Sequence, residues 1–198
     1  RTLRDFSPAD RLAEMDFEFA LSNPSATVAD LAHLLERHLP PGDPLAAYPA
    51  RLANPLLAGQ RLHGFLTGSI DAVLRDGDGA AARFVVVDYK TNWLAPADEP
   101  LTIGHYTRAA MAEAMMASHY PLQALLYSVA LHRFLATRWR PYEPERHLGG
   151  VAYLFVRGMA GEHTPQPDGH PLGVFTWKPS ADLVLATSAL LAGEETPS

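Results

Sequence analysis

Asp71, Asp88 and Lys90 are the residues of this sequence whose types and spacing could do chemistry. They lie in the segment HGFLTGSIDAVLRDGDGAAARFVVVDYKTNWL, which reads as two strands, about 63–75 and 83–90, joined by the turn Asp76-Gly77-Asp78-Gly79. Side chains alternate along a strand, so Asp88 and Lys90 share one face while Val87 and Tyr89 take the other. Asp71 belongs to the partner strand and faces Asp88 only in one register, which sequence alone does not fix. In that register two carboxylates repel one another unless a cation lies between them, and Mg²⁺, with Mn²⁺ as a possible substitute, prefers such oxygen ligands while keeping several waters. A bound water is then the natural nucleophile, its pKa lowered by the ion. Lys90 would orient or deprotonate it, or neutralise charge developing on a phosphate. The chemistry so described is hydrolysis of a phosphodiester.

An isolated D-x-K more often marks two solvated residues on an exposed strand face. The setting argues for more here. Asp88-Tyr89-Lys90 closes the run Phe84-Val85-Val86-Val87, whose unbroken apolar character implies a strand buried on both faces. Around this hairpin the sequence spells out supporting elements. Ser7-Pro8 opens a short helix over ADRLA. Met15, Phe17, Phe19 and Leu21 then alternate with Glu14, Asp16, Glu18 and Ala20, a strand with one buried and one acidic face. Thr27 caps a helix through about His38, stopped by Pro40-Pro41-Gly42, and a Pro- and Leu-rich connection runs to about Gln60. Helical spacing returns from Tyr106 to about Ser118 and from Pro121 to about Thr137, and GGVAYLFVRG from Gly149 is a strand. Residues 159–173 read as an exposed loop, followed by a short strand at Val174–Trp177 and a last helix from about Ser180 to Leu191. The order is mixed α/β.

The bulk properties narrow the chemistry. At 198 residues the chain suits one domain, 1–198, and 47% hydrophobic with 19% charged residues is the composition of a folded protein. Zero cysteines exclude disulfides, thiolate metal sites and cysteine nucleophiles, leaving carboxylates, histidines and carbonyls to hold any metal. No apolar run is long enough to cross a bilayer, so the expectation is a cytoplasmic protein with no membrane partner. A net charge of −6 argues against a free-standing protein that finds DNA through its own field. The start at Arg1 suggests a fragment of something longer.

Four blocks, GSIDAVLRDG, VVVDYKTNWL, YPLQALLYSVALHRFL and HLGGVAYLFVRGM, together resemble the C-terminal nuclease domain of bacterial RecB, the exonuclease V beta subunit. The resemblance covers about residues 1–160 and keeps the blocks in family order. It implies the restriction-endonuclease-like PD-(D/E)xK fold, a mixed central sheet flanked by helices, with Mg²⁺ at the active site. By resemblance Asp71 and Asp88 are metal-binding aspartates, the Tyr89 carbonyl is a further ligand and Lys90 is the catalytic lysine. Glu14, in AEMDF, is similar to the acidic residue of the family's E-x-x-F block, although it also reads as the first member of the acidic strand face. Gln123 and Tyr127 match a Q-x-x-x-Y signature, implying contact with the DNA backbone or the active-site edge; without the match they read as a partly exposed Gln and a core Tyr on one helix face. The family's further metal-binding histidine sits on a helix upstream of E-x-x-F, which this chain does not include, and none of the nine histidines present is promoted in its place.

The implied activity is metal-dependent cleavage of DNA strands unwound by helicase motors, in an assembly with the RecB helicase portion and RecC- and RecD-like subunits, during double-strand break processing and recombinational repair. The chain has no G-x-x-x-x-G-K-[ST] phosphate loop, so ATP is used elsewhere. A non-catalytic module that guides DNA or scaffolds partner subunits is the alternative, since fold does not dictate activity. A stand-alone endonuclease of another PD-(D/E)xK branch fits the core residues but not the helix and GGVAYLFVRG blocks.

Overall fold

The computed structural model describes residues 2–194; Arg1 and the last four residues of the 1–198 range lie outside the described part. Its centre is a five-stranded sheet in the order β1-β2-β3-β4-β5. The strands are β1 (Arg11–Leu21), β2 (Gly64–Asp76), β3 (Arg83–Lys90), β4 (Leu148–Phe155) and β5 (Val174–Trp177). Strand β3 pairs antiparallel with β2 and parallel with β4, while the β1–β2 and β4–β5 pairs are antiparallel. The sheet is therefore mixed. A parallel pair cannot be joined by a hairpin, and the β3–β4 connection carries the helices α4 (Arg108–Ala117) and α5 (Tyr120–Arg138). This is the mixed sheet flanked by helices expected of a restriction-endonuclease-like core.

Helix α1 (Val28–His38) starts where the sequence says: the Thr27 side chain accepts from Asp30 N–H, and the Asp30 carboxylate accepts from Thr27 N–H at 2.8 Å, a reciprocal capping box. The Pro- and Leu-rich connection that follows is more ordered than its composition suggests. It forms α2 (Tyr48–Leu52) and α3 (Pro55–Ala58), and it buries Leu45, Tyr48 and Leu52 completely or nearly so. The expected helix after Ser7 is a single 3-10 turn, Pro8–Asp10, and Arg11-Leu12-Ala13 belong to β1. Tertiary pairing wins there: Arg11, Leu12 and Ala13 face Leu74, Val73 and Ala72 in the β1–β2 ladder. Later in the chain come α6 (Pro144–His147) and α7 (Ala181–Ala192), the latter capped by the Ser180 side chain. In the 159–173 loop most residues are exposed, but Leu172 is buried and Gly173 lies against Gly158.

The main core lies between the sheet and the helices, and includes Met15, Ile70, Val73, Val86, Leu125, Val129 and Tyr153. A smaller cluster on the other side joins Ala72, Leu74, Val87 and Leu154, with Leu3 and Phe6 packed against it. Strand β3 is thus enclosed on both sides, as its apolar run requires. Among the described residues no helix is long and apolar enough to cross a membrane.

Candidate active site

The β2–β3 ladder settles the register that sequence left open. Ala72 faces Val87 and Val73 faces Val86, and the ladder ends there, so Asp71 and Asp88 are the first positions beyond its last pair, close enough for the Asp71 charge to act on Asp88. Asp71 reaches across to β3, where its Oδ2 accepts the Tyr89 backbone N–H at 2.9 Å. Tyr89 itself is half-exposed, on the face opposite Asp88.

Asp88 is buried, and its Oδ2 lies 2.5 Å from Lys90 Nζ. The contact is an ion pair by distance, yet the same oxygen receives no well-directed hydrogen bond. Burial pushes the Asp88 carboxyl above the ordinary range; Lys90 pulls it back, and the neighbouring Asp71 charge adds to the rise. A buried carboxylate with a second carboxylate beside it suits a hard cation, which takes oxygen ligands and supplies positive charge between them. Asp71, Asp88 and the Tyr89 carbonyl are the groups that could hold one. No group of three or more His, Asp or Glu side chains among the described residues is placed to hold an ion.

Glu14 enters the picture through the backbone. Ala13 faces Ala72 and Met15 faces Ile70, but the intervening Glu14 and Asp71 drop out of the β1–β2 ladder. Residues two apart on a strand should share a face. Instead Ala72 belongs to the smaller cluster and Ile70 to the main core, so β2 turns over at Asp71. Glu14, with φ of 52°, takes up the same turn in β1. A non-glycine residue in this left-handed region is uncommon and strained, above all inside a strand. Glu14 is exposed there, and so are Asp16 and Glu18 on the acidic face.

Helix α5 closes the site on the main-core side. Lys90 Nζ donates to Gln123 Oε1 at 3.2 Å, Gln123 Nε2 donates to the Tyr127 hydroxyl at 3.0 Å, and that hydroxyl donates to the Ser69 carbonyl at 3.0 Å. The Tyr127 ring is buried and its hydroxyl is pushed up to about 12, first by burial and then by the Asp88 and Asp71 charges. Gln123 and Tyr127 therefore sit beside Lys90, bonded to the chain's own groups. Two aromatic residues not singled out for chemistry join them. Tyr120 and Tyr153 stack with ring centroids 5.9 Å apart, and Lys90 Nζ lies 4.0 Å from the first ring and 5.1 Å from the second. The spacing of Tyr120, three before Gln123, was visible in the sequence; Tyr153, on β4 opposite Asp88, was not findable without the parallel β3–β4 register.

Two histidines have structural partners away from these residues: His119 bonds the Tyr48 hydroxyl, and His132, its pKa lowered by burial, bonds the Tyr142 hydroxyl.

No protein-family model matches the chain. Among curated proteins it is 53% identical over 199 residues to the RecBCD enzyme subunit RecB of Mycolicibacterium smegmatis, covering 98% of this chain and 18% of that protein. The RecB of Mycobacterium tuberculosis is 51% identical over 96% of this chain, and that of Escherichia coli K12 is 36% identical over 97%. The chain spans less than a fifth of the length of these relatives, 17% and 14% of the latter two.

Proposed function

Starting from a chain homologous to a segment of RecB, we propose that it is a nuclease domain that hydrolyses DNA phosphodiester bonds with a divalent cation, within a RecBCD-type assembly acting in DNA repair. The observation that carries this reading is the convergence on one hairpin of two neighbouring carboxylates, Asp71 and Asp88, with Lys90 held against Asp88. Two adjacent carboxylates, one of them buried, cost stability unless positive charge offsets them, and a purely structural domain has no need of that arrangement.

Asp71, Asp88 and the Tyr89 carbonyl would hold Mg²⁺, or Mn²⁺ in its place, which when bound supplies Lewis-acid polarisation of the phosphate and an acidified water. The chain's own residues do the rest. Asp88 presents an oxygen from a low-dielectric position, where an electrostatic interaction counts for more than in water. Asp71 is held in place through the Tyr89 N–H, so its orientation follows the β3 backbone. Lys90 supplies a positive charge beside the reacting phosphate, and Gln123 and Tyr127 keep it at the edge where the backbone of a DNA strand would pass. Glu14 lies on β1 where Asp71 lies on β2, at the break in the β1–β2 ladder, and its exposed carboxylate is a candidate acidic group for the same site. The acidic net charge fits a domain that receives strands from helicase motors instead of capturing them by its own field. The helicase portion of the same subunit and RecC- and RecD-like partners would provide that delivery.

The test is cleavage of single-stranded DNA with Mg²⁺ by the complete protein, beside Asp88→Ala and Lys90→Gln. Both substitutions should abolish cutting while leaving ATP-driven unwinding intact. Equal cutting by all three would remove this site from consideration and favour a DNA-guiding or scaffolding role.

A further inference from the structure

Resting on the nuclease reading, we infer that Tyr120 and Tyr153 are positioning residues that clamp the Lys90 ammonium group at the reaction site independently of Asp88. Hydrogen-bond direction fixes the arrangement. The Tyr127 hydroxyl has one proton and gives it to the Ser69 carbonyl, so towards Gln123 it can only accept. Gln123 must then present its NH₂ to Tyr127 and its oxygen to the other side. That oxygen accepts from Lys90 Nζ at 3.2 Å and from the Tyr153 hydroxyl at 3.0 Å. Turned over, the amide would set its NH₂ against the Lys90 ammonium, donor against donor. Tyr153 is fully buried in β4, and its hydroxyl, whose one proton serves either Gln123 Oε1 or the Tyr120 carbonyl 3.2 Å away, lies between the start of α5 and the sheet.

The rings complete the clamp. Tyr120 and Tyr153 are nearly parallel, 17° apart, and the ammonium sits against both faces. An aromatic face attracts a cation through its quadrupole, most strongly where water is excluded, and the Lys90 side chain is only 12% exposed. The Tyr120 hydroxyl, 3.4 Å from Asn92 Oδ1, links its ring to the loop that follows Lys90. Lys90 therefore has two sets of partners: the Asp88 carboxylate, and a Gln123–Tyr120–Tyr153 cradle. When the charge of Asp88 is engaged elsewhere, the cradle keeps the ammonium in place and pointing the same way. A long, flexible lysine would otherwise lose its position at the moment it is needed.

Two kinds of readout test this in the complete protein. The first is acylation of Lys90 in cation-free buffer, followed by peptide mass spectrometry. The chain contains two lysines, and the exposed Lys178 is the internal standard. Tyr120→Leu should raise Lys90 labelling relative to Lys178 several-fold, while Tyr120→Phe, which keeps the ring, should leave it near the parent value. The second is steady-state cleavage of single-stranded DNA with Mg²⁺. Tyr120→Leu should lower kcat by about tenfold, the scale of one desolvated cation–π contact, with KM unchanged, and Tyr120→Phe should restore most of it. Tyr153→Phe keeps the second ring, frees the Gln123 amide and should lower kcat by a few-fold. It also stands in where Tyr120→Leu fails to fold. Unchanged labelling in Tyr120→Leu, or unchanged kcat in both Tyr120→Leu and Tyr153→Phe beside an inactive Lys90→Gln, would overturn the clamp and leave the nuclease reading standing. A parent protein that does not cut DNA, with the labelling pattern as expected, would instead overturn the nuclease reading alone.

Discussion

Replacing Lys90 by Met leaves a buried carboxylate without its counter-charge, and the cost can be worked from the site. Asp88 is 4% exposed and its Oδ2 has Lys90 as the close cation, with no aligned hydrogen bond to fall back on. Removing one partner of a buried ion pair costs about 3–5 kcal/mol, because the remaining charge is stranded. The chain can limit that loss by protonating Asp88. For a carboxyl with an ordinary pKa of about 3.9, protonation at pH 8 costs about 5.6 kcal/mol, which gives no relief, but at pH 5 it costs only about 1.5 kcal/mol. Lys90→Met should therefore lose about 3–5 kcal/mol at pH 8 and no more than about 1.5 kcal/mol at pH 5. Urea unfolding of the parent and variant at the two pH values measures this directly. In thermal unfolding it corresponds to roughly 6–20 °C at pH 8 for a chain of this size. An equal loss at both pH values would show that Lys90 acts through packing and not through the Asp88 charge. A loss under about 1 kcal/mol at pH 8 would refute the buried pair altogether.

Other outcomes follow from single features. Because burial raises the Asp88 pKa, the folded chain holds that proton more tightly than the unfolded one; the resulting stability is present below about pH 3.9 and is lost as pH rises through the folded value. Asp88→Asn should flatten this decline in a pH series of chemical unfolding, and a steeper decline would contradict it. Mg²⁺ at roughly a hundred times its Kd should stabilise the parent by about 2.7 kcal/mol in a thermal shift and do nothing for a variant with both Asp71→Ala and Asp88→Ala; an equal shift in the two would place the ion elsewhere. Gly158→Ala puts a Cβ 2.3 Å from Tyr106 Cγ, a ring whose hydroxyl holds the Asn92 carbonyl beside the site. Expect a loss of about 1–3 kcal/mol with weaker DNA cleavage, and a neutral result would mean the two segments separate freely. Thr27→Ala removes the reciprocal cap of α1 and should cost about 1 kcal/mol by urea unfolding with cleavage unchanged.

The sequence by itself determined what local chemistry can determine. Alternation put Asp88 and Lys90 on one face, the apolar run 84–87 announced a buried strand, and the cap at Thr27 marked a helix start, since each of these depends on residues within one or two turns. The four blocks also pointed to RecB, and the homology extends over nearly the whole chain. Three things were decided by the tertiary structure, because each depends on residues far apart in the chain. The β2–β3 register set Asp71 beside Asp88, just past the last paired residues, where a shift of the strands would have separated them. The face reversal at Glu14 and Asp71 broke the alternation that sequence reading assumes, and Glu14 adopts a backbone conformation that side-chain patterns do not encode. The parallel β3–β4 pairing brought Tyr153 beside Asp88 from 65 positions further along the chain, and with it the aromatic half of the lysine's surroundings. Short-range pattern named the reactive groups, and long-range pairing decided which of them meet.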